Sequence, residues 1–246
     1  MIPKIIHYCW YGGGKMPRLA QECIASWKKC CPDYEIREWN EENSPISEFP
    51  FAQQALEQGK WAFVSDVIRL YALYTYGGVY LDTDVELLKP LDTLLETPNF
   101  CGYERDELKL QTAVMAAEKG NPWVNDCLKR YQSLAFSSDR EKMAGMVNNL
   151  LLTNLLKEKG VQFDNSYYSD DYITLYPSDY FCPMSYGTHF IEKTENTYCI
   201  HYYSFSWSEP EDLKGRIRKA LIEWIGEKKF RTAVNAVRKI FKSKSN

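Results

Sequence analysis

Between Ser65 and Val85 the sequence reads SDVIRLYALYTYGGVYLDTDV, and this stretch restricts the fold more than any other. An amphipathic run at helical spacing stops at Gly77 and Gly78, where glycine can take the left-handed backbone that ends helices. A short apolar strand, Val79 to Leu81, then delivers Asp82 and Asp84. In an extended segment, side chains two apart leave the same face, so both carboxylates can converge on one hard cation and a diphosphate. Aspartates at a strand end equally suit a turn in which they accept local backbone donors. Upstream, Asp66 and Arg69 stand one helical turn apart on a shared face. They read either as a surface ion pair of little worth or as an anionic and cationic pair aimed at sugar hydroxyls or phosphate.

Strand and helix patterns alternate through the chain. Strands are expected over Lys4 to Trp10, Tyr34 to Trp39, Asn99 to Tyr103, Thr112 to Ala117 and Tyr198 to Tyr202, with a glycine-rich turn from Tyr11 to Lys15. Helices are expected over Pro17 to Lys29, Phe51 to Gln58, Ala62 to Tyr76, Pro122 to Ala135 and Lys142 to Lys159. This order predicts an α/β fold whose sheet is covered on both faces and binds ligands at the carboxyl ends of its strands.

The 246 residues, 45% hydrophobic, suffice for one such core. Eighteen Tyr and seven Trp suit carbohydrate handling, because flat rings pack on sugar faces while their polar atoms reach hydroxyls. The eight cysteines, at positions 9, 23, 30, 31, 101, 127, 182 and 199, lack any CxxC spacing, so a zinc site is not expected. No leader pattern precedes the first strand and no run reaches the roughly 18 apolar residues of a membrane span. Those features predict a cytoplasmic protein with reduced thiols. At a net charge of −3, no nucleic-acid partner is expected.

Three separated segments carry a family resemblance: IPKIIHYCWYGG (Ile2 to Gly13), the stretch from Ser65 to Val85, and HYYSFSW (His201 to Trp207). Together they resemble the Asp-x-Asp sugar-binding-type glycosyltransferases of the capsular-polysaccharide and Och1-like group (glycosyltransferase family 32), with the large clostridial glucosylating toxins as more distant relatives. The resemblance implies a GT-A-type fold with a mixed central sheet, and a retaining transfer of a hexose from a nucleotide-diphosphate sugar to a glycan or lipid-linked acceptor in capsule, exopolysaccharide or lipopolysaccharide synthesis. It implies Mn²⁺ or Mg²⁺ as cofactor, with Asp84 as direct ligand, Asp82 near the ribose or sugar and the metal shell, and His201 closing the site. His201 reads equally as a core histidine. Asp66 and Arg69 would hold the transferring sugar. Trp10 would stack on the nucleobase, and Tyr80, Ser206 and Trp207 join it as donor-binding residues. His7, on the opposite strand face from Trp10, is expected in the core. No covalent nucleophile or catalytic base is assigned.

Rival readings are a toxin-like glycosyltransferase acting on protein, a non-catalytic carbohydrate-binding protein, and an Asp-x-Asp phosphatase; the last wants Thr or Val where Glu86 stands. The catalytic domain is expected to span residues 1–210, followed by a tail over 211–246. That tail carries eleven Lys or Arg against four acids, a charge of +7, which leaves −10 for the rest. Its apolar residues recur at helical spacing, which predicts two basic amphipathic helices hinged near Gly226; they either pack on the domain, as Leu213 to Trp224 suits, or lie on an anionic membrane surface, for which 228–244 is the better segment and which would make the protein peripheral on the inner face of the cytoplasmic membrane.

Overall fold

The computed structural model describes residues 1–204. Its centre is a seven-stranded mixed sheet. Strand β1 (Ile5–Cys9) runs parallel to β2 (Glu35–Trp39) on one side and to β3 (Gly78–Leu81) on the other. Helix α1 (Arg18–Cys30) connects the first pair, and α2 (Pro50–Glu57) with α3 (Trp61–Tyr76) leads into β3. Two further strands, β5 (Asn99–Tyr103) and β6 (Leu110–Ala117), form an antiparallel hairpin that sets β6 against β3. The far edge is β8 (Thr174–Tyr176), parallel to β5, with β7 (Tyr168–Ser169) outermost. A separate two-stranded sheet pairs β4 (Val85–Leu87) with β9 (Cys199–His201). Helices α4 (Pro122–Gln132), α5 (Arg140–Gly145), α6 (Asn148–Glu158) and α7 (Ser178–Phe181) complete the described part.

The central strands are buried on both faces, and their alternation divides the interior into two cores. Cys9, Tyr80, Cys101, Met115 and Ala117 point to the core shared with α2, α3, α4 and α6. Ile6, Tyr8, Val79, Leu81, Val114 and Ala116 point to the other, which Trp27 of α1 and the β4–β9 pair fill. Trp27 is fully buried and its Nε1 donates to the Val85 carbonyl at 2.7 Å, so α1 fixes the start of β4 directly.

Helix α3 ends where the glycine pair requires it. Gly77 adopts φ +69, and its amide donates to the Leu73 carbonyl at 2.9 Å. Gly78 adopts φ +110, and a Cβ there would lie 2.6 Å from the Ile5 carbonyl oxygen, so β3 comes this close to β1 only with glycine at that position.

The structure decides one open reading and corrects other expectations. Of the two readings of Asp82 to Asp84 it takes the turn, between β3 and β4, closed by the Val85 amide donating to the Asp82 carbonyl at 3.0 Å. The helix expected over Lys142 to Lys159 is two, because α5 stops at Gly145 and α6 begins anew at Asn148. Strands β4, β7 and β8 and helix α7, of two to four residues each, carry too little periodicity to stand out in the sequence. Residues Ser206 and Trp207, and the tail over 211–246, lie outside the described residues.

Candidate functional site

The carboxyl ends of β1 and β3 lie side by side, and a cavity of about 340 Å³ opens above them. Trp10, Gly12 and Gly14 line one wall; Arg69, Tyr80, Asp82, Asp84 and His201 line the other. Trp10 follows β1 directly, and its Nε1 donates to the Gly14 carbonyl at 2.8 Å. Gly12 has φ +89, and a Cβ on it would meet the Trp61 ring at 2.6 Å, so the glycine turn folds against Trp61 at the start of α3. Trp61 is 39% exposed and lines the same cavity.

The turn between β3 and β4 aims both aspartates into this space, and each is held differently. Asp82 Oδ1 accepts from the Tyr80 hydroxyl at 2.9 Å and lies 3.3 Å from Arg69 Nη2. Asp84 Oδ2 accepts from the Ser204 amide at 2.7 Å, while its Oδ1 lies 3.4 Å from His201 Nε2. His201 arrives through the small sheet, in register with Val85.

Arg69 is the hub of the opposite wall. Its Nη2 reaches Asp66 at 3.1 Å as well as Asp82, its Nη1 donates to the Thr112 carbonyl at 2.6 Å, and its guanidinium lies 4.5 Å from the centre of the Tyr80 ring. Asp66 and Arg69 are both buried, so the surface-ion-pair reading does not apply to them. Burial pushes the Asp66 carboxyl up to about 6 against the pull of Arg69. Burial also works to raise Asp84, but the His201 charge and the Ser204 amide outweigh it and hold the carboxyl at about 2. His201 moves the other way: burial lowers it, and the adjoining Asp84 charge carries it well above the ordinary histidine value.

One ligand atom each from Asp82, Asp84 and His201 lie within 4.8 Å of one another. His201 presents Nε2 to Asp84, and this is the ring atom open to a metal, while its Nδ1 is buried. Two carboxylates and an imidazole suit Mn²⁺, or Mg²⁺ with less use of the imidazole. Binding would release the His201 proton, since only the neutral ring coordinates.

Of the residues singled out in the sequence, Trp10, Asp66, Arg69, Tyr80, Asp82, Asp84 and His201 come together here. His7 lies in the core, as expected: its Nδ1 accepts from Trp39 Nε1 at 3.1 Å and its Nε2 bonds the Gly77 carbonyl at 2.8 Å. The sequence reading missed Ser204, Tyr203, Glu104 and Trp61. Ser204 and Tyr203 sit inside the HYYSFSW segment, which marks their place. Glu104, which accepts from the Tyr203 hydroxyl at 2.5 Å, has no local signal.

Residues 17–101 match the family described as the glycosyltransferase sugar-binding region containing the DXD motif, and the match spans the turn that carries Asp82 and Asp84. Over this third of the chain the sequence is similar to the sugar-binding region of DXD-type glycosyltransferases. It is 29% identical over 143 residues to inositol phosphoceramide mannosyltransferase 3 of Schizosaccharomyces pombe, a match covering 55% of this chain and 39% of that protein. The chain thus spans well under half of that relative's length. Two solved structures share the fold. The PaToxG glycosyltransferase superposes with a TM-score of 0.51 at 19% identity, over 64% of this chain and 70% of that one. The glycosyltransferase GlyE of Streptococcus pneumoniae TIGR4 also gives 0.51, at 15% identity, over 89% of this chain and 60% of that one. The fold is that of GT-A glycosyltransferases.

Proposed function

We propose that this protein is a metal-dependent, retaining hexosyltransferase that uses a nucleotide-diphosphate sugar. The observation that carries the reading is the convergence of Asp82, Asp84 and His201 on the wall of the cavity that Trp10 lines, at the carboxyl ends of two parallel strands. In this reading Trp10 stacks on the base, and the amide-rich glycine turn approaches the nucleotide closely. A divalent ion held by the two aspartates and His201 would offset the charge that grows on the leaving diphosphate. Arg69, fixed by Ser65, Asp66, Asp82, Thr112 and the Tyr80 ring, presents a positive charge beside the transferring sugar without having to reorganise. Asp66 and Tyr80 hold Arg69 and Asp82 in place. As the sugar's bond to the diphosphate breaks, the acceptor oxygen bonds to the anomeric carbon on the same face, and its proton passes to the departing phosphate oxygen.

Mannose is the first sugar to test, since the fungal relative is named a mannosyltransferase. The acceptor in this reading is a glycan or a lipid-linked glycan of a surface polysaccharide. No helix among the described residues is long and apolar enough to cross a membrane. The charge pattern of 228–244 supports a peripheral role at an anionic leaflet, which co-sedimentation with anionic and neutral vesicles tests, using the full chain and a truncation after Glu227.

Hydrolysis of a panel of nucleotide sugars in Mn²⁺, with and without chelator, tests the central reading. Turnover of at least one donor that stops on chelation supports it. If no donor turns over and no nucleoside diphosphate binds, the chain is a carbohydrate-binding protein instead.

A further inference from the structure

Past Arg69 and Asp82 a second cavity, of about 460 Å³, adjoins the first; Ala62, Arg69, Asp82, His201 and Tyr203 line both. Asn148 forms part of its wall as the first residue of the eleven-residue helix α6. The residue is 2% exposed, yet neither Nδ2 nor Oδ1 has a hydrogen-bond partner. A buried carboxamide left wholly unpaired on a cavity wall is a group prepared for a ligand. The Asn148 backbone amide, at the positive end of α6, also favours the charged form of the Asp66 carboxyl.

The charges of the cavity limit what that ligand can be. Among the described residues, its two permanently charged cations are both engaged: Arg69 with Asp66 at 3.1 Å and Asp82 at 3.3 Å, and Lys109 with Glu107 at 2.8 Å. Glu104 adds a carboxylate that takes its hydrogen bonds from Tyr203 and Cys182. Any phosphate entering here would face carboxylates whose cations are already committed. A hydroxyl-rich, uncharged ligand meets no such opposition, and Tyr186, 52% exposed, offers it a ring face.

Resting on the glycosyltransferase reading, we propose that the second cavity holds the uncharged terminal sugar of the acceptor, oriented by the Asn148 carboxamide, and rejects an acceptor with phosphate beside the reacting hydroxyl. One hydroxyl would accept from Nδ2 while a second donates to Oδ1, which uses both orphaned atoms. This specificity differs from the acceptor named for the fungal relative, inositol phosphoceramide, in which a phosphate adjoins the inositol.

Ligand-observed saturation-transfer NMR on the full chain with diamagnetic Mg²⁺ and a bound nucleoside diphosphate tests the proposal. The probes are methyl glycosides of glucose, galactose, mannose and N-acetylglucosamine with their 6-phosphates, and myo-inositol with its 1-phosphate. At least one neutral glycoside should bind, and each binder should exceed its phosphorylated counterpart by about tenfold or more. Asn148→Ala should weaken that binding about tenfold while its melting temperature holds or rises, because the carboxamide makes no bond within the protein. Glu107→Lys should narrow the gap between neutral and phosphorylated probes. Equal or tighter binding of a phosphorylated probe, no binding of any neutral one, or unchanged binding by Asn148→Ala overturns the proposal. Failure of the glycosyltransferase reading looks different: no donor hydrolysis and no nucleoside-diphosphate binding, whatever the sugars do.

Discussion

The backbone amide of Ser204 donates to Asp84 Oδ2 at 2.7 Å, joining residues 120 positions apart in sequence. Two residues earlier the Tyr202 amide donates to the Asp84 carbonyl at 3.0 Å, so the late segment grips this aspartate by both backbone and side chain. The Asp-x-Asp turn therefore has its second carboxylate aimed by a part of the chain far from the motif. Because the Ser204 donor is a backbone group, substitution of the Ser204 side chain leaves that bond in place.

Asp84→Asn keeps the size of the side chain and one acceptor for the Ser204 amide, but removes the negative charge. Donor hydrolysis should fall at least about a hundredfold, since a bound divalent ion contributes several kcal/mol of charge stabilisation. Calorimetric titration with Mn²⁺ should show weakened binding in the same variant. Full activity of Asp84→Asn in chelator would refute the metal assignment.

Trp10→Ala should raise the dissociation constant for a nucleoside diphosphate by about one to two orders of magnitude, the range that loss of one base-stacking ring produces. Turnover of the saturated enzyme should change far less, because stacking is similar in ground and transition states. Fluorescence titration and steady-state kinetics separate the two. An unchanged dissociation constant would move the base elsewhere, with Trp61 across the glycine turn as the next candidate.

Arg69→Ala would strand the buried Asp66 carboxylate, and breaking a buried pair in this way costs about 3–5 kcal/mol. Arg69→Lys is the cleaner test. Lysine keeps the charge but cannot meet Asp66, Asp82 and the Thr112 carbonyl together, so kcat should drop by about ten- to a hundredfold with a smaller change in nucleotide affinity. A melting temperature measured alongside ensures that the kinetic loss is not unfolding.

The sequence disclosed this site unevenly, and the reasons are physical. The β1 and α3–β3 segments were legible because burial on both strand faces and a helix-ending glycine pair leave strong local patterns. Even so, the step from Asp82 to Asp84 stayed open between an extended segment and a turn; a two-residue spacing cannot distinguish the two, and the Val85-to-Asp82 hydrogen bond decides for the turn. The break between α5 and α6 was also hidden, since Met146 and Val147 are apolar residues that a continuous helix would accommodate. Asn148 consequently looked like the middle of a helix rather than the first residue of one. Glu104 was out of reach altogether, because its relevance depends on β5 meeting Tyr203, a contact across 99 residues.

Acid should destabilise the protein partly through His7. This ring is fully buried between Trp39 Nε1, which donates to Nδ1, and the Gly77 carbonyl, which accepts from Nε2 in the neutral ring. Burial lowers its pKa from 6.5 to about 4, against the pull of the Gly77 carbonyl and with some help from Arg37. The unfolded chain therefore binds a proton near pH 6.5 that the folded chain resists until about pH 4. The stabilisation is complete above pH 6.5 and is lost as pH falls through that window, by about 2 kcal/mol at pH 5 and about 3 kcal/mol in total. His7→Gln, which cannot titrate, should be less stable than the parent at pH 7.5, with a gap that narrows by about 2 kcal/mol at pH 5. Urea midpoints for both proteins at the two pH values measure this difference directly. A gap that stays constant would mean that His7 is protonated in the folded protein or exposed in it, contrary to the hydrogen bonds that hold it.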